Sequence, residues 1–232
     1  MAKSLNTNTL KEKIMHSYSI DKKIRTTISI VLFVASIVLS ILLRSIISPY
    51  VDKVTAQMSS TVLSRILEFI SSTGIFPNFL EAAAIFSLLS IVFEKWIWKL
   101  RPVRFLHGIP DLNGHWEGEL HSSYSDEAIH MDLDIVQTWS EISFRSTFPK
   151  STSSSNTAAI HMEDNRGISI YFGFHNDSTD IASGMQSYDG YNILTMIDND
   201  TISARYFNNR PNPKKSVKGG NMGTFNLKRK RN

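Results

Sequence analysis

The run Ile28–Leu43, ISIVLFVASIVLSILL, carries no charge and continues past Arg44 to Ile46 and Ile47. As a helix, about 20 such residues cover the ~30 Å hydrocarbon core of a bilayer. A chain with this segment must bury it in lipid or in a large protein core. The run is longer, and begins later, than the ~7–15-residue apolar region of a secretory signal peptide. It therefore predicts a first transmembrane span over about residues 26–47.

A second apolar run, Ile75–Phe93, predicts a second span over about residues 75–98. It ends in Glu94, Lys95, Trp96, Trp98, Lys99 and Arg101, a mixture of aromatics and cations that anchors a helix end at the headgroups. Basic residues cluster outside the two runs: Lys3, Lys11, Lys13, Lys22, Lys23 and Arg25 before the first, Lys95, Lys99, Arg101 and Arg104 after the second. Only Lys53 and Arg65 fall between them. Cytoplasmic flanks are enriched in Lys and Arg, so both termini are expected in the cytoplasm, on a multi-pass protein.

Between the runs, Val51, Val54, Met58, Val62, Ile66, Phe69 and Ile70 recur at near-helical spacing. This predicts an amphipathic segment over 48–74, on the outer membrane face or packed on neighbours in an oligomer. Arg44 and Glu81 stand near the outer ends of the spans; they either pair or snorkel separately to the interface, and separate snorkelling is the simpler expectation. Ser36, Ser40, Ala83 and Ser87 supply small-residue spacings for close helix approach.

After Asp111 the chain changes character. Ile129, Met131, Leu133 and Ile135 alternate with His130, Asp132 and Asp134, and the same period of two recurs at Ile142–Phe148, Ala158–Met162 and Ile168–Phe174. These are half-buried antiparallel strands. Asp164-Asn165, Asn176-Asp177, Asp189-Gly190 and Asp198-Asn199-Asp200 read as the turns between them. About eight short strands predict a small closed barrel or a sandwich, with room in a barrel for side chains or one small ligand. The organisation expected is a basic cytoplasmic segment over 1–25, a membrane region over 26–104 and a cytoplasmic β domain over 109–232.

There is no cysteine, so disulfides, zinc-thiolate sites and cysteine nucleophiles are excluded. The seven histidines form no HExxH or comparable ligand spacing, and no GxSxG or Walker motif is present. No metal, catalytic residue or resident cofactor is expected. Asp132 and Asp134 share one strand face and could act as an acid pair, although such carboxylates usually mark the wet side of a sheet. Ser151–Asn156, STSSSN, offers hydroxyls to a polar ligand or is a solvated loop. Lys228–Arg231, KRKR, hugs anionic lipid or forms a solvated tail.

Taken in order, two N-terminal spans, Leu112–Leu120 (LNGHWEGEL), Ile135–Ile142 (IVQTWSEI), the serine run, Ile202–Arg210 (ISARYFNNR) and Gly223 resemble the bacterial two-transmembrane β-barrel effectors of CBASS, the cyclic-oligonucleotide-based antiphage signalling system. The resemblance implies a lipocalin-like barrel that binds a cyclic dinucleotide made by a cognate CD-NTase. It further implies a ligand-induced homo-oligomer that disrupts the inner membrane and causes abortive infection. Gln137, Trp139, Ser153, Ser154, Ser155, Tyr206 and Arg210 lie in the matching motifs and are the implied ligand residues; Trp116 reads as core, closing the barrel floor. Neither enzymatic activity nor a DNA or RNA partner is expected. The alternative is a membrane-anchored β-barrel scaffold that binds a protein or lipid without a nucleotide.

Overall fold

The computed structural model of the chain describes residues 15–20, 23–57, 75–163, 167–179, 186–210 and 220–230. They divide into two compact units, Lys23–Trp98 and the described parts of Met1–Lys22 with Lys99–Asn232. The first unit is helical, and the second is one sheet with a short helix.

In the helical unit a 34-residue helix runs Ile24–Gln57 and a 21-residue helix Ile75–Lys95. Among the described residues one helix, over Ile24–Ile46, is long and apolar enough to cross a membrane. Its side chains are poor material for a soluble core: Ile30, Val31, Ile41 and Ile46 are all more than half exposed. Its hydroxyls are satisfied within the helix, Ser36 donating to the Phe33 carbonyl at 2.7 Å and Ser40 to that of Ile37 at 2.8 Å. Ser36 and Ser40 are buried and Phe33 and Phe86 meet edge to face, but on the second helix the buried small residue is Ala82, with Ala83 half-buried and Ser87 exposed. Arg44 Nη2 lies 3.4 Å from Glu81 Oε1, so the two side chains pair and do not snorkel apart. Of the amphipathic segment expected over 48–74, residues 48–57 continue the long helix, and 58–74 lie outside the described residues.

The second unit opens with a strand that the sequence reading missed. Residues taken as a basic segment include β1, His16–Ile20. After a short helix, Arg101–His107, come β2 (Gly114–Ser122), β3 (Ile129–Gln137), β4 (Glu141–Phe148), β5 (Ser151–Glu163), β6 (Gly167–Ser178), β7 (Tyr188–Met196), β8 (Thr201–Asn208) and β9 (Met222–Arg229). The sheet closes into a ring in the order β1-β4-β3-β2-β9-β8-β7-β6-β5. Closure removes the free edges that an open sheet exposes to aggregation.

The seam of the ring lies between β4 and β5. These strands pair directly over Arg145–Phe148 and Ser151–Ser154, then part. Into the fork goes β1, antiparallel to β4 at His16 and Ser17 and parallel to β5 from Tyr18 to Ile20. The ring therefore has nine strands where about eight were expected, and it draws on chain from both sides of the helical unit.

One end of the ring is filled. Trp116, Leu133, Ile142, Ile160, Ile170, Leu194, Ile202 and Leu227 are fully buried. Each such side chain contributes roughly 1.5–3 kcal/mol by leaving water. Trp116 closes this end as expected, its indole N–H donating to the Leu112 carbonyl at 3.0 Å. Arg229 lies over the Trp116 ring at 4.2 Å, its guanidinium donating to the carbonyls of Asn113 and, at 2.8 Å, Asp111. The basic tail expected at Lys228–Arg231 is thus, through Lys228 and Arg229, the end of β9, and Lys230 pairs with Glu117 at 2.9 Å.

Candidate ligand-binding site

Across the interior, Phe144 of β4 and Phe172 of β6 stack face to face, 4.1 Å between ring centres and 4° from parallel. On the far side of this pair from the apolar fill, the ring holds a cavity of about 600 Å3. That is within the ~300–1,000 Å3 of small-molecule sites. The wall from β4 to β6 carries the polar Ser146, Ser151, Ser153 and Asn176 beside Phe148 and Phe174; the wall from β7 to β9 carries Tyr188, Asn192, Tyr206 and Phe225.

Strand alternation explains why polar groups face inward here. Ser146 is in phase with Ile142 and Phe144, and Asn176 with Ile170, Phe172 and Phe174, so each occupies a core-facing position with a side chain that the core does not want. Two glycines make room for the rings. A Cβ on Gly190 would come within 2.3 Å of Phe174, and one on Gly223 within 2.6 Å of the Tyr206 ring.

Among the described residues two Lys or Arg side chains line the cavity, Lys150 and Arg210, and Arg210 is the one held against aromatic rings. Its guanidinium lies 3.9 Å from the centre of the Tyr124 ring and 5.6 Å from that of Tyr188. Its backbone is also held: the Arg210 N–H donates to Asn208 Oδ1 at 3.1 Å, and its carbonyl accepts from Asn221 Nδ2 at 3.0 Å. Set between two rings and hydrogen-bonded to the Tyr188 hydroxyl, the planar guanidinium has further donors to offer a phosphate. The Tyr206 hydroxyl donates to Ser122 Oγ at 2.7 Å. Burial pushes the phenols of Tyr188 and Tyr206 above the ordinary tyrosine range, so both remain neutral donors that do not repel an anion.

The structure brings together Ser153, Tyr206 and Arg210 of the residues implied by sequence, and separates the others. Ser154 is out of phase with its neighbours and faces away from the cavity. Ser155 is buried at the seam, where its Oγ accepts from the Phe144 N–H at 2.9 Å. Gln137 and Trp139 sit at the filled end and do not reach the cavity. Gln137 Oε1 accepts from the Leu112 N–H at 2.8 Å, fixing the chain before β2, and Trp139 meets His107 edge to face at 5.1 Å. Tyr124, Ser146, Tyr188 and Asn192 are not singled out by the sequence, and Asn176, expected in a turn, lies within β6. For Ser146 and Asn176 the signal was available, a polar residue in the apolar phase of a strand.

A second polar cluster lies on the outer face of β2 and β3. His115 Nδ1 is 3.0 Å from Asp134 and Nε2 3.1 Å from Asp132, and donor atoms of His115, Glu117 and Asp132 lie within 4.8 Å of one another. These groups already satisfy each other, with Lys230 on Glu117. The hydrogen bond to Asp134, then the charges of both aspartates, hold the His115 pKa above its ordinary value. Asp132 and Asp134, which could act as an acid pair, thus flank the His115 ring instead.

Compared with known families, residues 107–229 match the family described as Cap15, cyclic dinucleotide receptor domain. The match runs from the end of the short helix through β2–β9 and takes in every wall of the cavity. No curated protein matches the chain.

Proposed function

This chain belongs to the Cap15 cyclic dinucleotide receptor domain family, and from that premise we propose that it is the membrane effector of a CBASS antiphage system. That family is one of receptors, not of enzymes. In this reading the ring is a lipocalin-like barrel that faces the cytoplasm and takes a cyclic dinucleotide from a cognate CD-NTase into the cavity. Arg210 meets a phosphodiester, and Tyr124, Tyr188 and Tyr206 present aromatic surface to the bases. The observation that carries the reading is the coincidence of the matched segment with a cavity of nucleotide-sized volume in which the Arg210 guanidinium is held 3.9 Å from the Tyr124 ring centre.

The helices Ile24–Gln57 and Ile75–Lys95 are the output: two spans of the inner membrane, with both termini cytoplasmic. Just beyond them, Phe105 and Leu106 stand exposed beside Arg101 and Arg104, an arrangement suited to the headgroup boundary. Ligand binding favours an assembled homo-oligomer that breaches the bilayer and causes abortive infection. For this, the ligand has to bind the assembled state more tightly than the dispersed one, because equal affinity would shift nothing.

The test uses the full chain in detergent micelles, titrated calorimetrically with cyclic di-AMP, cyclic di-GMP, cyclic UMP–AMP and cyclic di-UMP. Binding of at least one is expected; binding of none rejects the receptor reading. The same chain in phosphatidylethanolamine–phosphatidylglycerol vesicles is expected to release trapped dye only when the bound nucleotide is added.

A further inference from the structure

Three buried polar side chains stand in one row around the interior. Ser146 of β4 is directly opposite Ser153 of β5, Ser153 is opposite Asn176 of β6, and Asn176 is opposite Tyr188 of β7. Ser146, Ser153 and Asn176 are 2%, 5% and 0% exposed, and all three line the cavity.

Their hydrogen bonding is incomplete. Asn176 Nδ2 donates to Ser151 Oγ at 3.3 Å, which leaves Oδ1 as the open acceptor, and that atom has no partner among the described residues. The hydroxyls of Ser146 and Ser153 also make no hydrogen bond among the described residues. A buried amide oxygen without a donor is a cost, and folds retain such groups where something else completes them. Sequence did not force polarity here, since the same strand phase is filled by Phe144, Phe172 and Phe174.

We propose that the row Ser146–Ser153–Asn176 is the wall that reads the edge of one nucleobase and so sets which cyclic dinucleotide the receptor prefers. Asn176 Oδ1 accepts an N–H from the Watson–Crick edge. The two hydroxyls, each able to donate or accept, complete that edge. The next member of the row is Tyr188, whose ring lies 5.6 Å from the Arg210 guanidinium, so the base wall and the phosphate-binding cation are neighbours around the ring. This inference rests on the receptor reading and assigns a division of labour within it: Arg210 holds what all cyclic dinucleotides share, and the row reads what distinguishes them.

The test compares the full wild-type chain with Asn176→Leu, Ser146→Ala, Ser153→Ala and Arg210→Ala. Each is titrated with cyclic di-AMP, cyclic di-GMP, cyclic UMP–AMP and cyclic di-UMP, and each is melted without nucleotide. Asn176→Leu is expected to weaken the best-bound member by about tenfold or more, because a site built to hydrogen-bond an edge discriminates through it. The spread between best and worst members should narrow to about threefold. Each serine variant should lose preference in the same sense while melting no lower than wild type, since no partner within the protein is lost. Arg210→Ala should instead weaken all members alike. Wild-type ranking retained in Asn176→Leu and both serine variants, or a wild-type chain that binds the four equally, overturns the base wall and leaves the receptor reading standing. A wild-type chain that binds none overturns both. If Asn176→Leu does not fold, the serine variants decide.

Discussion

His16 and Ser155, 139 residues apart in sequence, meet at 2.7 Å between Nε2 and Oγ. Ser155 Oγ at the same time accepts from the Phe144 N–H. The hydroxyl is thus shared between the Phe144 N–H and the His16 ring, whose Nδ1 lies 3.2 Å from the Ser17 carbonyl. One side chain thus pins all three strands of the seam at the point where β4 and β5 part.

From this position we expect Ser155→Ala to destabilise the chain by about 1–3 kcal/mol, because a buried backbone N–H loses its acceptor. Ser154→Ala, one residue away and facing outward, should change stability by no more than about 0.5 kcal/mol. Thermal or denaturant unfolding of the two variants checks the contrast. Equal effects would mean that Ser155 does not hold the fork.

Arg210→Ala should abolish nucleotide binding at micromolar concentration while leaving the fold intact, since its guanidinium lies against Tyr124 and Tyr188 in the cavity lining and supports no buried core. Arg210→Lys should recover only part of the affinity, for an ammonium can neither stack as a plane nor form two parallel hydrogen bonds to phosphate. Calorimetry gives the affinities, and dye release from vesicles gives the output. Wild-type affinity in Arg210→Ala would remove the residue from the site.

The strand faces were legible in the sequence wherever alternation ran unbroken, as at Met131–Ile135 and Ile168–Phe174, and so was the buried floor residue Trp116. Two dipeptides misled. Asn176-Asp177 and Asp189-Gly190 look like turns by local chemistry, yet both lie inside strands. Asn176 is there because the cavity takes a polar group, and Gly190 because the Phe174 ring occupies the space of its Cβ. Neither reason is local. Strand β1 was hidden because its pairing partners lie more than 120 residues away and five residues show too little period. Gln137 and Trp139 were grouped with Arg210 because a motif records order along the chain, whereas the Phe144–Phe172 stack decides which end of the ring is filled.

Stability should fall as pH rises through the neutral range. The pKa of His115 is raised in the folded state chiefly by its hydrogen bond to Asp134, and that of His175 chiefly by its hydrogen bond to Asp189 at 2.7 Å. A group whose folded pKa exceeds its unfolded value contributes fully below the unfolded value, about 6.5 for histidine, and loses that contribution as pH climbs through the folded value. The melting temperature should therefore decline modestly between about pH 6 and pH 8, less so in high salt because both sites are partly exposed. Replacing both histidines by glutamine should flatten the profile. A melting temperature that rises across this window contradicts the assignment.

The Arg44–Glu81 pair gives the helical unit its own test. If both helices span the bilayer, each of these charges sits near hydrocarbon, where an ion is tolerated mainly through its partner. Arg44→Glu alone places two carboxylates together, and Glu81→Arg alone two guanidiniums. Each single variant is expected to impair nucleotide-triggered dye release, while the exchanged double variant, Arg44→Glu with Glu81→Arg, should restore most of it because the pair is rebuilt with its sign reversed. All three should still bind nucleotide, because the cavity is untouched, and the single variants should bind more weakly only as far as assembly itself is impaired. A double variant no better than the singles would show that each charge acts by itself and that the 3.4 Å contact does not support the output.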